Sequence, residues 1–135
     1  MTIIKPNTLL AGLLTAVVLA VGASAEQIAS RHIYAVDGDT IDIGNQRFRL
    51  VGFDTPETYR ARCSYEKALG DMATARLREM IRNAGIVDVV VLPGRDRYGR
   101  GLARLFVAGS DVRDLLISEG LARPYNGGRR SSWCN

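Results

Sequence analysis

The chain has 135 residues with 18 Lys and Arg against 14 Asp and Glu, a net charge of +4, and these totals cover two unlike parts. Sixteen of the first 25 residues are apolar and Lys5 is their only charge, which leaves 110 residues with 16 Arg, one Lys and 14 carboxylates, a balance of +3. A remainder of that size forms one domain with its own core, and the composition excludes a multidomain enzyme, a collagen-like or disordered chain and a polytopic membrane protein.

The first element is an address. Lys5, the apolar run Leu9 to Val21 and the small-residue pattern Ala23-Ser24-Ala25 have the order of a secretory signal over residues 1–25, cleaved after Ala25. The uncharged stretch Thr8 to Ala25 nearly reaches the length of a bilayer span, so a retained N-terminal anchor is the competing expectation. Either way the globular part, residues 26–135, is expected outside the cytoplasm, secreted or periplasmic. In that oxidising setting Cys63 and Cys134, separated by 71 residues and fitting no zinc spacing, are expected to form a bridge, two unpaired thiols being the alternative.

From Ile33 to Phe53 apolar residues alternate (Ile41, Ile43, then Phe48, Leu50) around a tight turn at Gly44-Asn45, which predicts strand, hairpin, strand. Cys63 to Ala84 changes to helical period through Tyr65, Ala68, Leu69, Met72, Leu77, Met80 and Ile81, with Ser64 as N-cap and Gly85 as stop. Ile86 to Leu92 and Leu102 to Val107 return to strand composition around the polar loop Pro93 to Gly101. Asp111 can cap a short helix bearing Val112, Leu115 and Leu116 that closes at Gly120, and Asn126 to Asn135 reads as linker-like. About three strands, a helix, two strands and a helix suit an α+β, mainly β fold: an OB-type five-stranded Greek-key barrel with two to three helices.

Two acidic clusters sit at strand ends, Asp37-Gly38-Asp39-Thr40 and Asp54-Thr55-Pro56-Glu57, and the Gly44-Asn45 hairpin folds them toward each other with Asp39 opposite residue 50 or 51. Such residues are often only turn formers. Carboxylates gathered on one rim repel unless neutralised, and a hard divalent cation such as Ca²⁺ or Mg²⁺ accepts carboxylate, carbonyl and water oxygens. The pattern is not an EF-hand: Ile41 stands where a further oxygen ligand is needed. Arg49 lies between the clusters in the opposite side-chain phase to Phe48 and Leu50, and Arg100 lies in the second hairpin loop. A cation, two guanidiniums and an acid able to take a proton, Glu57, are the groups needed for attack of water on a phosphodiester. His32, the only histidine, precedes this pattern and reads as structural. The other arginines, among them Arg95, Arg97, Arg104, Arg123, Arg129 and Arg130, either track a polyanion or are solvated surface in an arginine-rich composition. Tyr98 is expected to support the Arg100 loop, and Trp133 to pack the bridged tail.

The stretches Asp37-Gly38-Asp39-Thr40-Ile41, Phe48-Arg49-Leu50, Asp54-Thr55-Pro56-Glu57 and Asp96-Arg97-Tyr98-Gly99-Arg100-Gly101-Leu102-Ala103, in this order, resemble the staphylococcal nuclease (thermonuclease) family over roughly Arg31 to Tyr125. The resemblance implies an OB-type barrel that hydrolyses DNA and RNA with Ca²⁺. It implies Asp39, Asp54 and the Thr55 carbonyl as calcium ligands, with Asp37 near the ion but behind them. It implies Arg49, Glu57 and Arg100 as catalytic residues, and a product carrying a 3′-phosphate. The expected protein is a monomer that prefers single-stranded or frayed DNA and RNA with little sequence preference; a nucleic-acid-binding OB-type module without catalysis is the alternative. Three features depart from the type member: a shorter hairpin between Ile43 and Arg49, Tyr125 alone where a tyrosine pair is expected against substrate, and the Cys63–Cys134 pair with its tail.

Overall fold

The structure, a computed structural model, describes residues 16–17 and 22–135, so most of the expected signal segment lies outside the described residues. No helix among the described residues is long and apolar enough to cross a membrane. The elements run β1 (Glu26–Ala29), a 3₁₀ turn (Ser30–His32), β2 (Ile33–Asp37), β3 (Thr40–Ile43), β4 (Gln46–Leu50), β5 (Phe53–Asp54), α1 (Ser64–Ala84), β6 (Ile86–Arg95), β7 (Gly101–Val107), β8 (Ser110–Asp111), α2 (Val112–Ser118) and β9 (Arg123–Pro124).

Seven strands pair in the order β1-β6-β7-β4-β3-β2, with β8 added to β7. The chain passes from β1 at one end of that path to β2 at the other through only Ser30–His32. Three residues span roughly 10 Å at most, so the sheet has to curl until its ends nearly meet. The five longest strands that follow, β2, β3, β4, β6 and β7, are the expected OB-type set, and two helices accompany them. Strand β1 was not foreseen, because Glu26-Gln27-Ile28-Ala29 is too short to show a period and forms only by pairing Glu26–Ala29 with Val89–Ile86.

Alternation builds the core. Gly101, Ala103, Leu105 and Val107 of β7 and Val87 and Val89 of β6 point inward, where Ile41, Leu50, Phe53, Leu77, Val112 and Leu116 meet them with almost no exposure. Phe48 pairs in parallel with Gly101, and a Cβ there would stand 2.6 Å from the Phe48 ring, so only glycine lets β4 and β7 come this close.

Helix α1 differs from expectation at its start. Its N-cap is Cys63, extended at φ −153° and ψ 165°, whose Sγ accepts from Glu66 N at 3.4 Å, while Ser64 is already helical. The buried stripe begins Glu66, Gly70, Ala73, Thr74, whereas Tyr65 and Met72 are exposed. The reason is local: the first turns of α1 lie against loop backbone instead of the apolar core. A Cβ at Gly70 would stand 2.7 Å from Pro56 O and 2.8 Å from Glu57 O. Small or polar residues are therefore needed on that face.

Candidate active site

The two acidic clusters are joined by the β3–β4 hairpin. Thr40 pairs with Arg49, and Leu50 N donates to Asp39 O at 2.8 Å, so Asp39 lies opposite residue 50 as the turn requires. Asp37 Oδ1 accepts from Asp39 N at 3.0 Å, a side-chain turn that sends Asp39 inward. Gly38 makes room: a Cβ there would meet the Thr55 side chain at 2.8 Å. The buried Asp39 carboxylate accepts from Thr40 Oγ1 at 3.2 Å, from Thr55 N at 3.2 Å and pairs with Arg49 Nη2 at 3.2 Å. Burial pushes its pKa up to about 6, against the pull of Arg49 and with the help of the Asp37 charge.

Asp54 and Arg123 are cross-strand partners in the small sheet of β5 and β9. The Asp54 side chain is fully buried, and its two oxygens differ. Oδ2 accepts from Trp133 Nε1 at 3.3 Å and pairs with Arg123 Nη2 at 3.4 Å. Oδ1 has no aligned hydrogen bond, although Arg130 Nη2 stands 2.5 Å and Arg49 Nη2 3.9 Å away. Contact without alignment satisfies charge but not the lone pairs, and a buried carboxylate oxygen in that condition suits a hard cation. Asp39 and Asp54 thus share Arg49 Nη2, with Thr55 N donating to Asp39, and the two carboxylates gather oxygens of the kind a hard divalent cation accepts. Asp37 is engaged with the Asp39 backbone, behind these groups. Another cluster of possible ligands, Cys63, Glu66 and Cys134, offers no thiolate, because its two sulfurs are bonded to each other.

Glu57 is half-exposed, and its position is fixed from the helix side. Glu66 Oε1 accepts from Glu57 N at 3.4 Å and Oε2 from Arg62 N at 2.7 Å, so one buried carboxylate in the first turn of α1 holds both ends of the loop. Glu57 Oε1 accepts from Arg130 Nη1 at 2.8 Å. Arg49 is mostly buried and donates to the carbonyls of Leu50 and, at 2.8 Å, Phe53. Arg100 is held by Asp96, whose Oδ2 accepts from Nε at 2.5 Å and whose Oδ1 accepts from Arg100 N and Tyr98 N. These bonds outweigh burial and keep the Asp96 pKa below its ordinary value. Arg100 Nη1 donates to Thr40 Oγ1 at 3.3 Å, which links Arg100 through Thr40 to Asp39. The guanidiniums of Arg97 and Arg100 stand 4.9 and 5.4 Å from the Tyr98 ring centre, so Tyr98 does brace this loop.

A cleft of about 870 Å³ is lined by Arg49, Arg97, Tyr98, Arg100, Tyr125 and Arg130, among others, and Arg49 and Arg130 connect it to Asp39, Asp54 and Glu57. Tyr125 stands in its wall with its hydroxyl donating to Gly128 O at 2.6 Å. Residues 126–135 are not a linker. Cys134 is bonded to Cys63, Arg123 donates to the carbonyls of Ser131 and Ser132 and stacks 4.0 Å from the Trp133 ring centre, and the segment lies as a strap along the cleft. Trp133 thus packs the tail as expected and also touches Asp54. Arg123 and Arg130, read from composition as scattered surface or polyanion contacts, both pair with Asp54. The sequence held one signal for Arg130: it lies four residues before Cys134, and Cys63 lies six after Glu57, so the bridge alone brings Arg130 near that acid. For Arg123, Glu66 and Gly70 no pattern pointed to the site. His32 is exposed in the 3₁₀ turn.

Two arginines lining one cleft, with Glu57 and two buried carboxylates in ion-pair contact with its lining, can bind a phosphate, neutralise its charge and take a proton from water. Comparison with known proteins agrees. Residues 47–132 match the family model described as staphylococcal nuclease homologue. The chain is 41% identical over 95 residues to SPbeta prophage-derived endonuclease YokF of Bacillus subtilis (strain 168), covering 66% of this chain and 31% of the relative. It is 39% identical over 97 residues to endonuclease YncB of the same organism, covering 66% and 44%. With the thermonuclease of Staphylococcus hyicus it shares 30% over 105 residues, covering 75% and 62%. The alignments thus span less than half the length of the two Bacillus proteins and under two thirds of the thermonuclease. With the family model covering more than half of its length, the chain belongs to the staphylococcal nuclease family.

Proposed function

We propose that the protein is a secreted Ca²⁺-dependent nuclease that hydrolyses phosphodiester bonds of DNA and RNA with low sequence specificity, acts as a monomer and prefers single-stranded or frayed substrate. The observation that supports this reading best is one connected set of charges: Arg49, Arg100 and Arg130 line a single cleft, Arg49 pairs with Asp39 and Asp54, and Arg130 pairs with Asp54 and Glu57. The signal-like segment over residues 1–25 and the Cys63–Cys134 bridge support export.

In this reading Asp39, Asp54 and the Thr55 carbonyl hold the ion, which when bound supplies Lewis-acid polarisation of the phosphate. Glu57, half-exposed and paired with the cleft-lining Arg130, takes a proton from the attacking water as the new P–O bond forms. Arg49 and Arg100 donate to the equatorial oxygens, on which charge accumulates as the bond to the 5′ oxygen breaks and that oxygen takes a proton from solvent water. The Arg49 guanidinium is preorganised by the Leu50 and Phe53 carbonyls, and Arg100 by Asp96, so little side-chain freedom is lost in the transition state. A product with a 3′-phosphate follows from the family resemblance.

Incubation of the purified protein with single-stranded DNA tests the reading. Cleavage with Ca²⁺, none with EDTA and none with Arg49→Ala is the expected result. Undiminished cleavage in EDTA would overturn the metal assignment, and binding without any product in Ca²⁺ would favour a non-catalytic binding module.

A further inference from the structure

The strap is more strongly held than a surface tail needs to be. At one end Tyr125 N donates to Gly52 O at 3.1 Å; at the other Cys134 is bonded to Cys63. Between them Gly127 and Gly128 take φ of +97° and +83°, conformations open to glycine, which turn the chain back over the cleft. Arg123 grips the Ser131 and Ser132 carbonyls from below. The residue this scaffold presents is Arg130, whose guanidinium bridges Asp54 Oδ1 at 2.5 Å and Glu57 Oε1 at 2.8 Å. Burial disfavours its charge, but the two carboxylates outweigh that and hold it firmly protonated.

Asp54 Oδ1 is the atom that a divalent ion held by Asp39, Asp54 and Thr55 has to use, since Oδ2 is already taken by Trp133 and Arg123. A guanidinium and a metal ion cannot both sit against one buried carboxylate oxygen without strong like-charge repulsion. We propose that Arg130 is a built-in counter-ion that competes with the divalent cation for Asp54, so that the strap sets the metal affinity of the site. The Cys63–Cys134 bridge makes the competition intramolecular and keeps the guanidinium at high effective concentration beside the acid. This rests on the metal reading of Asp39, Asp54 and Thr55 given above. It adds a determinant in the strap, outside the ligands themselves.

Calorimetric titration of Ca²⁺ alone into the oxidised protein tests the proposal in the wild type, Arg130→Gln, Arg130→Lys and Cys134→Ser. Arg130→Gln keeps much of the side-chain volume and removes the charge, so it is expected to bind Ca²⁺ roughly tenfold more tightly. Arg130→Lys keeps the charge and is expected to stay within about threefold of the wild type, while Cys134→Ser, which frees the strap, shifts in the direction of Arg130→Gln. A second reading is thermal: the rise in Tm on adding Ca²⁺ is larger in Arg130→Gln than in the wild type. If the wild type and Arg130→Gln bind Ca²⁺ equally, or the variant binds more weakly, the proposal is wrong and the metal reading survives. If no variant binds Ca²⁺, both fall together.

Discussion

Gly70 lies in the middle of the first half of a 21-residue helix, where propensity alone says that alanine is better by about 1 kcal/mol. The opposite outcome is expected here. An alanine Cβ at this position would stand 2.7 Å from Pro56 O, 2.8 Å from Glu57 O and 3.0 Å from Glu57 C, all backbone atoms that no side-chain rotation can move aside. Ordinary contact requires these atoms to retreat by roughly half an ångström or more, and overpacking of that kind costs about 1–3 kcal/mol. Set against the propensity gain, that leaves Gly70→Ala destabilised by up to about 2 kcal/mol. The displaced loop bears Glu57 and follows Thr55, so activity is expected to fall further than stability, by one to two orders of magnitude on the order of a 1 Å misplacement. Urea denaturation gives the first quantity and initial rates on single-stranded DNA in saturating Ca²⁺ the second. A Gly70→Ala protein that is as stable and as active as the wild type would show that α1 does not set the position of Glu57.

Arg100→Lys is expected to lose about a thousandfold in kcat/KM with little change in Tm, because a point charge cannot reproduce the fork held by Asp96 and aimed past Thr40; steady-state rates and a melting curve check both parts. Asp39 gives a pH signature. Its pKa of about 6 in the folded protein exceeds its ordinary 3.8, so the folded state holds the extra proton between these values and metal-free stability falls as pH rises through that window, by about 2 kcal/mol. Melting in EDTA from pH 4 to 7 is expected to show this fall in the wild type but not in Asp39→Asn, while stabilisation by Ca²⁺ grows over the same range because the ion displaces that proton. Cys63→Ser/Cys134→Ser releases a bridge spanning 71 residues, which the chain-entropy relation values at roughly 4 kcal/mol. For a domain of this size the melting temperature is expected to fall by on the order of 15 °C, and a fall of under about 3 °C would refute that account.

Much of the candidate site's geometry was legible before any fold was known because its residues sit at strand ends whose register is local. A turn at Gly44-Asn45 is enough to put Asp39 opposite Leu50 and to carry Arg49 between the clusters, and the hydrogen bond from Leu50 N to Asp39 O is a direct result. Arg100 was legible for a similar reason: Asp96 closes its own loop onto Arg100 within four residues. Strand β1 and the pair β5–β9 were not, since two to four residues hold no period and exist only through their partners.

The alternation of the barrel strands, the extent of α1 and the capping of α2 by Asp111 could be read in one dimension, because each depends on neighbours a few positions away. Which face of α1 is buried near its start, why Gly70 is glycine, and what stands against Asp54 became visible only once the chain had folded. Those answers come from groups brought together across more than ten intervening residues, where neither periodicity nor turn chemistry reaches. Arg130, Arg123 and Trp133 read as an arginine-rich tail in one dimension, and in three they enclose the buried carboxylate of Asp54.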